Sequence, residues 1–424
     1  MPARPFRFLH ASDFHLELPL FGVTEVPTQL REVFLDAPYS AARRVFDTAL
    51  AEEVDFVLLT GDIINPPNAG PCGVLFLIEQ FERLAEKEIR VYWAGGRVDP
   101  PTSWPSTTPP PKNVRIFPAG DVKSVSHKKH EEPLARIVGL SRDRSEKIRP
   151  AEFIVANQDI FTIASVHGRA DMEKLLETEM NFWALGGEHN RNTPSNAPHW
   201  IHYPGSPQGR QPGELGPHGC TVVHVDERRQ VTANFVSCDA VRWVHEQVNV
   251  HPNSTQADVV HQMSERLRSL ADVTRDVHQL VTWTISGEGP LASRLRHSHG
   301  AKPIIENLRD RFGQSRPCVW TVALEVESTV SLPDAWHEED TLLGEFLRHV
   351  QVLQHDSHKA LRLEKLLSNR YQENGVAASV QLSDLETRQR VLRRAAALGA
   401  DLLRGEAGAE EHYPHANIVR VPVG

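Results

Sequence analysis

Cysteine is scarce: four in 424 residues (Cys72, Cys220, Cys238 and Cys318), far apart and never in a C-x-x-C spacing. That argues against a disulfide framework and a zinc knuckle, and a reducing cytoplasm is the expected compartment. Long apolar runs are missing too. No stretch reaches the ~18 uninterrupted apolar residues read as a membrane-spanning helix, so no membrane is expected among the partners. The chain enters a strand pattern at once, without the apolar core of a secretory signal. Positive charge is in deficit. With 46 Lys and Arg against 55 Asp and Glu the net charge is −9, so any nucleic-acid binding must use local basic patches. What is present is an ordinary globular composition, 40% hydrophobic and 24% charged. The chain is long for one core, which predicts two domains or one with large appendages.

Chemistry-bearing residues recur where apolar runs end. Phe6, Phe8 and Leu9 read as a short buried strand, after which come Asp13 and His15. Two apart on extended backbone, they project to the same side, and a carboxylate with an imidazole suits a divalent metal. Among 22 His one D-x-H decides nothing, so the later runs matter. A helix with Ala42, Val45, Phe46, Ala49 and Leu50 on one face is predicted over Ala41 to Glu53, after a Pro- and Leu-rich loop from Leu16 to Pro38. The β-branched run Val54 to Thr60 then ends in Gly61-Asp62, as a buried parallel strand would. Open α/β sheets bind ligands at that position. A helix from Val74 to Lys87 leads into the strand Ile89 to Ala94, which ends in Gly95-Gly96-Arg97-Val98-Asp99. This is a βαβ series.

Pro100 to Lys112 carries six prolines and reads as an exposed loop beside the site. Short strands follow near Val114 to Phe117, Val122 to Val125 and Ala135 to Leu140. The run Phe161 to Val166 ends in His167-Gly168. A helix around Met172 to Thr178 precedes Phe182 to Leu185, which ends in Gly186-Gly187-Glu188-His189. Trp200 to Tyr203, Thr221 to Val225 and Val231 to Ser237 read as a closing antiparallel set. Four strand ends thus deliver Asp13/His15, Asp62, His167 and His189, a recurrence far less probable by chance than any one of them.

From about Ala240 strand-like runs (Val241 to Val250, Gln279 to Ile285, Val319 to Val326) alternate with helical segments (Ala257 to Leu270, Ile304 to Phe312), as in a small separate α/β domain. From Asp340 the pattern is mainly helical. Over Val380 to Leu403, Leu382, Leu385, Val391, Leu392, Ala395, Ala396 and Leu403 interleave with Arg388, Arg390, Arg393 and Arg394. Docking on a partner or nucleic acid and packing on its own domain fit that pattern equally.

Assembled, these residues resemble the calcineurin-like metallophosphoesterases, and within them the bacterial SbcD-type DNA repair exonucleases, over roughly the first 240 residues. The family's D-x-H is Asp13-Phe14-His15, its G-D is Gly61-Asp62, its lone His is His167, and its G-H-x-H matches Gly186-Gly187-Glu188-His189. Trp183-Ala184-Leu185, Tyr203 to Arg210 and Gly219-Cys220-Thr221 also look like the bacterial branch. The resemblance implies an α/β fold, a four-layered β-sandwich flanked by helices (1–239), a smaller α/β capping, DNA-binding-like domain (240–335), and C-terminal helices (336–424) that meet an SMC-like, SbcC-type ATPase. It implies DNA as substrate, a homodimer, and a divalent metal. Manganese is the expected ion, although zinc and iron suit the same ligands.

The chain departs from that family at one place. The first-metal set is complete as Asp13, His15, Asp62 and His189. Of the second, Asp62 and His167 remain, while Arg97 stands where G-N-H-D has Asn and Gly187 where G-H-x-H has its first His. Val98 replaces a His that could carry a proton. Two metals clamp both the attacking and the leaving oxygens of an in-line displacement, so the second site is expected to be weak or lost. Arg97 is expected to occupy it, pairing with Asp62 and gripping a phosphate oxygen, with His167 beside it as the other catalytic candidate. Asp99 is expected to fix its loop; His127, His130, His199 and His202 are candidate proton donors with no spacing that selects one. The reading is a phosphodiesterase, an exonuclease-like hydrolase with a degenerate second site; the alternative is a catalytically impaired paralogue that binds nucleic acid or the ATPase.

Overall fold

The computed structural model describes residues 4–130, 132–142, 147–154, 160–273, 276–287, 290–296, 300–327, 332, 334–356, 361 and 385–403. The chain forms two compact units, the first comprising Met1–His245, Ala271–Val281 and Gln314–Val322, the second Glu246–Leu270, Thr282–Gly313 and Ala323–Gly424. The first opens with β1 (Phe6–Ala11), α1 (Arg31–Ala51), β2 (Phe56–Leu59), α2 (Pro66–Ala85), β3 (Arg90–Trp93) and β4 (Val114–Ile116). There follow β5 (Lys123–Lys129), β6 (Glu132–Leu140), β7 (Phe161–His167), α3 (Met172–Leu176), β8 (Phe182–Gly186), β9 (Asn192–Ser195), β10 (Trp200–Tyr203), β11 (Gly219–Val225) and β12 (Val231–Ser237).

Two six-stranded sheets result, in the orders β12-β11-β1-β2-β3-β4 and β5-β6-β7-β8-β10-β9. Alternation along each strand decides the layers. Phe6, Phe8, Phe56, Leu58 and Tyr92 turn inward and meet Ile137, Phe161, Ile163 and Phe182 of the other sheet. Phe8 and Phe56 stack with ring centroids 5.2 Å apart. The opposite faces carry Leu9, Val57, Leu59, Val91 and Trp93, packed under Val45, Phe46 and Ala49 of α1 and Leu77, Phe81 and Leu84 of α2. On the second sheet Ala164, Val166, Trp183 and Leu185 are covered by Phe153, Leu175 and Met180. The architecture is α/β, a β-sandwich flanked by helices, as expected.

Several boundaries differ from the sequence expectation. α1 begins at Arg31 rather than Ala41, with Pro38 inside it. The missing N–H is tolerated because Phe34, Ala37 and Pro38 are buried there, Phe34 and Ala37 against Val241 and Trp243. α2 begins at Pro66 and kinks at Gly70, whose φ of 66° and ψ of −171° separate two helical pieces. The strand expected at Val122 to Val125 is the first part of a hairpin, β5 antiparallel to β6 with a bulge between His127 and Lys128. The expected antiparallel set of three is corrected. β11 pairs β1 and β12, whereas β10 pairs β8 in parallel on the other sheet. Its glycine-rich follow-on segment carries the chain from one sheet to the other.

Next in the chain are β13 (Val241–Val250), α4 (Gln256–Val273), β14 (His278–Gly287), α5 (Pro290–Arg296), α6 (Lys302–Phe312) and β15 (Val319–Val326), with a three-stranded sheet in the order β13-β14-β15. Last come α7 (Asp334–Glu338), α8 (Leu342–His355) and α9 (Leu385–Leu403). Leu392, Ala396 and Ala400 of α9 pack on Leu343, Leu347 and Val350 of α8. Arg388 is buried and donates from Nη2 to the carbonyls of Leu353 and Asp356, at 3.2 and 3.3 Å, at the end of α8. That arginine therefore belongs to internal packing, while Arg390, Arg393 and Arg394 are exposed. Val380 and Leu382 of the expected amphipathic helix, with the rest of 362–384 and 404–424, lie outside the described residues. No helix among those described is long and apolar enough to cross a membrane.

His127 lies between the sheets, its Nδ1 3.0 Å from the Tyr92 hydroxyl and its ring 4.7 Å from Phe56. Burial, with Arg90 and Lys129 and against the pull of Asp55, lowers its pKa from the usual 6.5 to about 4. As pH falls below 6.5 the unfolded chain takes up a proton that the native histidine refuses, so stability declines until about pH 4. At about 1.4 kcal/mol per pH unit the loss reaches roughly 3 kcal/mol. His127→Gln, which cannot titrate, is expected to flatten that part of the acid limb in melting temperature against pH. An unchanged limb would show that His127 is not its source.

Candidate metal centre

The centre is made where three parallel strands of one sheet end together. Beyond β1 and β2 the backbone pairing continues irregularly: the amides of Asp13, His15 and Leu16 donate to the carbonyls of Gly61, Asp62 and Ile63 at 3.0, 3.0 and 3.2 Å. To do this Asp13, His15 and Asp62 take φ of 57°, 45° and 52°. Such left-handed residues cost of order 1–3 kcal/mol each and cluster where function demands a fixed geometry. The expectation that Asp13 and His15 converge on extended backbone is thus corrected; they converge through left-handed turns. From β3, Asp99 locks the third loop. Its Oδ1 accepts from the amides of Asp62 (2.8 Å) and Gly96 (2.6 Å), its Oδ2 from Ile63 (3.0 Å) and the Trp93 indole (2.9 Å). Burial, then the neighbouring charge of Asp62, raise its pKa to about 6, while its four N–H donors favour the ionised form.

The five expected ligands come together in two overlapping groups, Asp13 with His15 and His189, and Asp13 with Asp62 and His167, whose ligand atoms within each group all lie within 4.8 Å of one another. Each is oriented from behind. Asp13 Oδ2 accepts from Ser12 Oγ at 2.6 Å and the Gly187 amide at 2.9 Å. His167 Nδ1 donates to the Thr60 carbonyl at 2.9 Å, which leaves Nε2 with a lone pair 3.5 Å from Asp62 Oδ2. His15 Nδ1 donates to Glu17 at 3.3 Å, and His189 Nδ1 to Glu214 at 2.8 Å. Metal-binding histidines characteristically carry such a carboxylate or carbonyl behind the ring. Burial would raise the Glu214 carboxyl, but bonds from His189 and the Arg210 amide and the charge of Arg210 outweigh it and hold it at about 2. Asp62 is also held low: burial opposes, and the neighbouring His167 ring and the Val98 amide prevail.

Arg97 is a correction. It is exposed, and among the described residues its side chain makes no ion pair with Asp62 or any other group. The Arg97–Val98 segment serves Asp62 through backbone instead, the Val98 amide donating to Asp62 Oδ1 at 2.9 Å. The cation that reaches the centre is Arg210, 3% exposed, from the loop after β10. Its Nη2 lies 3.3 Å from both ring nitrogens of His189, against the ring and in line with neither lone pair. Glu17, Arg210 and Glu214 are residues that the motif reading missed as functional. Glu17 lies two places beyond His15, and Arg210 and Glu214 lie in a glycine-rich stretch whose only signal is two opposite charges four apart.

The other candidates lie elsewhere. His127 is bound to Tyr92, His199 Nδ1 to the Met180 carbonyl at 2.9 Å, and His202 is clamped by Thr193 and Thr221, both at 2.9 Å. His130 is exposed at the end of β5. None is in a ligand group. At Gly187 (φ 99°) a Cβ would start 3.2 Å from His167 Nε2, so the position borders the second-ion ligands and contributes none.

The donor set fits a divalent ion. Asp13 Oδ1 and His15 Nε2 are buried without a hydrogen-bond partner, an arrangement costly in itself and satisfied by a cation between them. Carboxylate oxygens and imidazoles together are the ligands of first-row divalent metals. Asp13, His15 and His189 would hold one ion; Asp13, Asp62 and His167 are the residues in reach of a second.

Residues 6–203 match the calcineurin-like phosphoesterase family, and residues 243–329 match the middle domain of metallophosphoesterase YhaO. The chain is 26% identical over 341 residues to the uncharacterized metallophosphoesterase YhaO of Bacillus subtilis (strain 168), covering 76% of this chain and 81% of that protein. Among solved structures it is similar to a dimetal phosphatase from Danio rerio (12% identity, 55% of this chain and 99% of that one, TM-score 0.33). Another is Vacuolar Protein Sorting 29 from Cryptosporidium parvum (16% identity, 55% and 99%, TM-score 0.26). The ligand cluster at the strand ends lies within residues 6–203, the stretch that matches the calcineurin-like phosphoesterase family.

Proposed function

We propose that the chain hydrolyses phosphodiesters, with DNA ends as the substrate class, at a centre built around one well-held divalent ion. The observation that carries this is the convergence of Asp13, His15 and His189, with buried ligand atoms of Asp13 and His15 left unshared. When bound, such an ion supplies Lewis-acid polarisation of a phosphoryl oxygen and lowers the pKa of water. The protein's part is to hold the ligands. Glu17 and Glu214 accept from Nδ1 of His15 and His189 and so fix the rings with Nε2 as the outward nitrogen, and Asp99 fixes the loop that supports Asp62. Arg97, exposed beside the site, is free to meet a phosphate of a long substrate. With Val98 where relatives carry a proton-donating His, the leaving oxygen has no side-chain acid supplied at that position, so turnover is slow.

The DNA assignment draws on the resemblance of the Trp183 to Leu185 and Tyr203 to Arg210 stretches to SbcD-type nucleases. The same resemblance supports a capping role for the middle domain, a homodimer, and an SbcC-type ATPase partner, for which Arg390, Arg393 and Arg394 offer an exposed basic face. A second reading, favoured by Arg97, Val98 and Gly187 together, is a catalytically impaired subunit that binds DNA or the ATPase.

Purified protein with added manganese is expected to cleave linear duplex DNA and a generic phosphodiester slowly, and His189→Ala to fall to background in both assays. Cleavage undiminished by His189→Ala would overturn the assignment; retained DNA binding without hydrolysis by the unaltered protein would establish the second reading.

The supporting carboxylates generate a separate expectation. Glu214→Ala leaves the His189 ring unoriented and is expected to weaken manganese binding about 10- to 100-fold, measured by calorimetric titration. Equal affinity would show that Glu214 only braces the loop.

A further inference from the structure

The arginine at this centre is not an ordinary structural ion pair. Arg210 is 3% exposed, yet its side chain forms no ion pair among the described residues, and its Nε and Nη1 have no hydrogen-bond acceptor. A buried arginine that merely bolted the loop would be expected to grip a carboxylate two-handed. Glu214, four residues on, instead spends its oxygens on the Arg210 backbone amide at 2.8 Å, on His189 and on the Gln211 side chain. What offsets the burial of the guanidinium is the combined field of Glu214, Asp13, Glu17 and Asp62, in that order. All four carboxylates are ligands or orient one: Asp13 and Asp62 are ligands, and Glu214 orients His189. The fourth, Glu17, stands behind His15 as Glu214 stands behind His189.

These four carboxylates leave an uncompensated negative charge. Two divalent ions would bring four positive charges; the residues in reach of a second are Asp13, Asp62 and His167, with no ligand from positions 97 and 187. Arg210 brings one permanent charge to within 3.3 Å of the His189 ring. It cannot lose its proton under physiological conditions.

We propose that Arg210 is a built-in counter-cation of the metal centre, standing in for the charge of a second ion, so that the site loads a single divalent metal. This rests on the metal-centre reading above and deepens it by fixing the ion count. Arg210 is a positioning residue: it acts on the ligand field and on His189, not on substrate.

The test uses the full-length protein and manganese alone. Elemental analysis after equilibration, together with the manganese electron paramagnetic resonance spectrum, reports ion number and spin coupling independently of turnover. The unaltered protein is expected to hold one ion with an uncoupled spectrum. R210Q, which keeps hydrogen bonding but removes the charge, is expected to take up a second ion and show spin coupling, and R210K to return to one. Two coupled ions in the unaltered protein, one ion in R210Q, or two in R210K would each overturn the proposal. If R210Q does not fold, the unaltered protein and R210K still decide it. Hydrolysis is read separately. The expected ion counts without cleavage would remove the phosphodiesterase reading and leave the counter-cation in place, whereas cleavage with two ions in the unaltered protein would do the reverse.

Discussion

The loops after β1 and β2 are zipped to one another by backbone hydrogen bonds beyond the point where regular strand geometry ends, and the centre depends on that zipper. Asp13, His15 and Leu16 donate to three successive carbonyls, Gly61 to Ile63. The left-handed backbone of Asp13, His15 and Asp62 is unfavourable locally and persists because these bonds and the packed strands beneath over-determine it. Asp99 extends the lock to the third loop with four N–H donors on a single buried carboxylate. Three ligands are therefore held by main chain more than by side-chain packing, and their positions follow from the register of β1, β2 and β3.

The second sheet completes the site through the same currency of backbone contacts. The Thr60 carbonyl, at the end of β2, accepts from His167 Nδ1 at the end of β7. The Gly187 amide, after β8, donates to Asp13. Close approach is needed for both. A Cβ on Gly61 would lie 2.6 Å from the Gly96 amide nitrogen and 2.8 Å from His167 Nδ1, so the glycine of G-D is there as much for the seam between sheets as for its φ of 85°. Ligands from two sheets can share one ion only because the sandwich core, with Phe8, Phe56 and Phe182 at its centre, fixes the distance between their strand ends.

What could be read from the sequence was what local pattern determines. Alternating or β-branched runs ending in Asp or His placed Asp13, His15, Asp62, His167 and His189 at strand ends, and the structure brings those five together. What could not be read depends on contacts between distant segments. Arg97 and Arg210 are both arginines near motif residues, and nothing local says which one turns inward; the loop after β3 directs Arg97 outward, while the loop after β10 buries Arg210 against His189. Glu17 and Glu214 carry no spacing signal because their role is defined by the far side of a histidine ring. The start of α1 was hidden by Pro38, whose cost is overridden by burial, and the parallel pairing of β10 by a switch of sheet that a run of four residues cannot announce.

These features also set the sign of the coupling between metal and stability. Without a cation the centre combines strained backbone, several buried carboxylates, unshared donor atoms on Asp13 and His15, and a lone pair of His167 turned toward Asp62. Each of these disfavours the native state, and one guanidinium relieves only part of the charge. An ion that binds the assembled ligands and not the unfolded chain stabilises the native state by RT ln(1 + [L]/Kd), about 2.7 kcal/mol at a hundredfold excess over Kd. The zipper and the Asp99 lock hold the ligands that such an ion would share. Metal binding and native-state stability are thus coupled through a framework of main-chain hydrogen bonds.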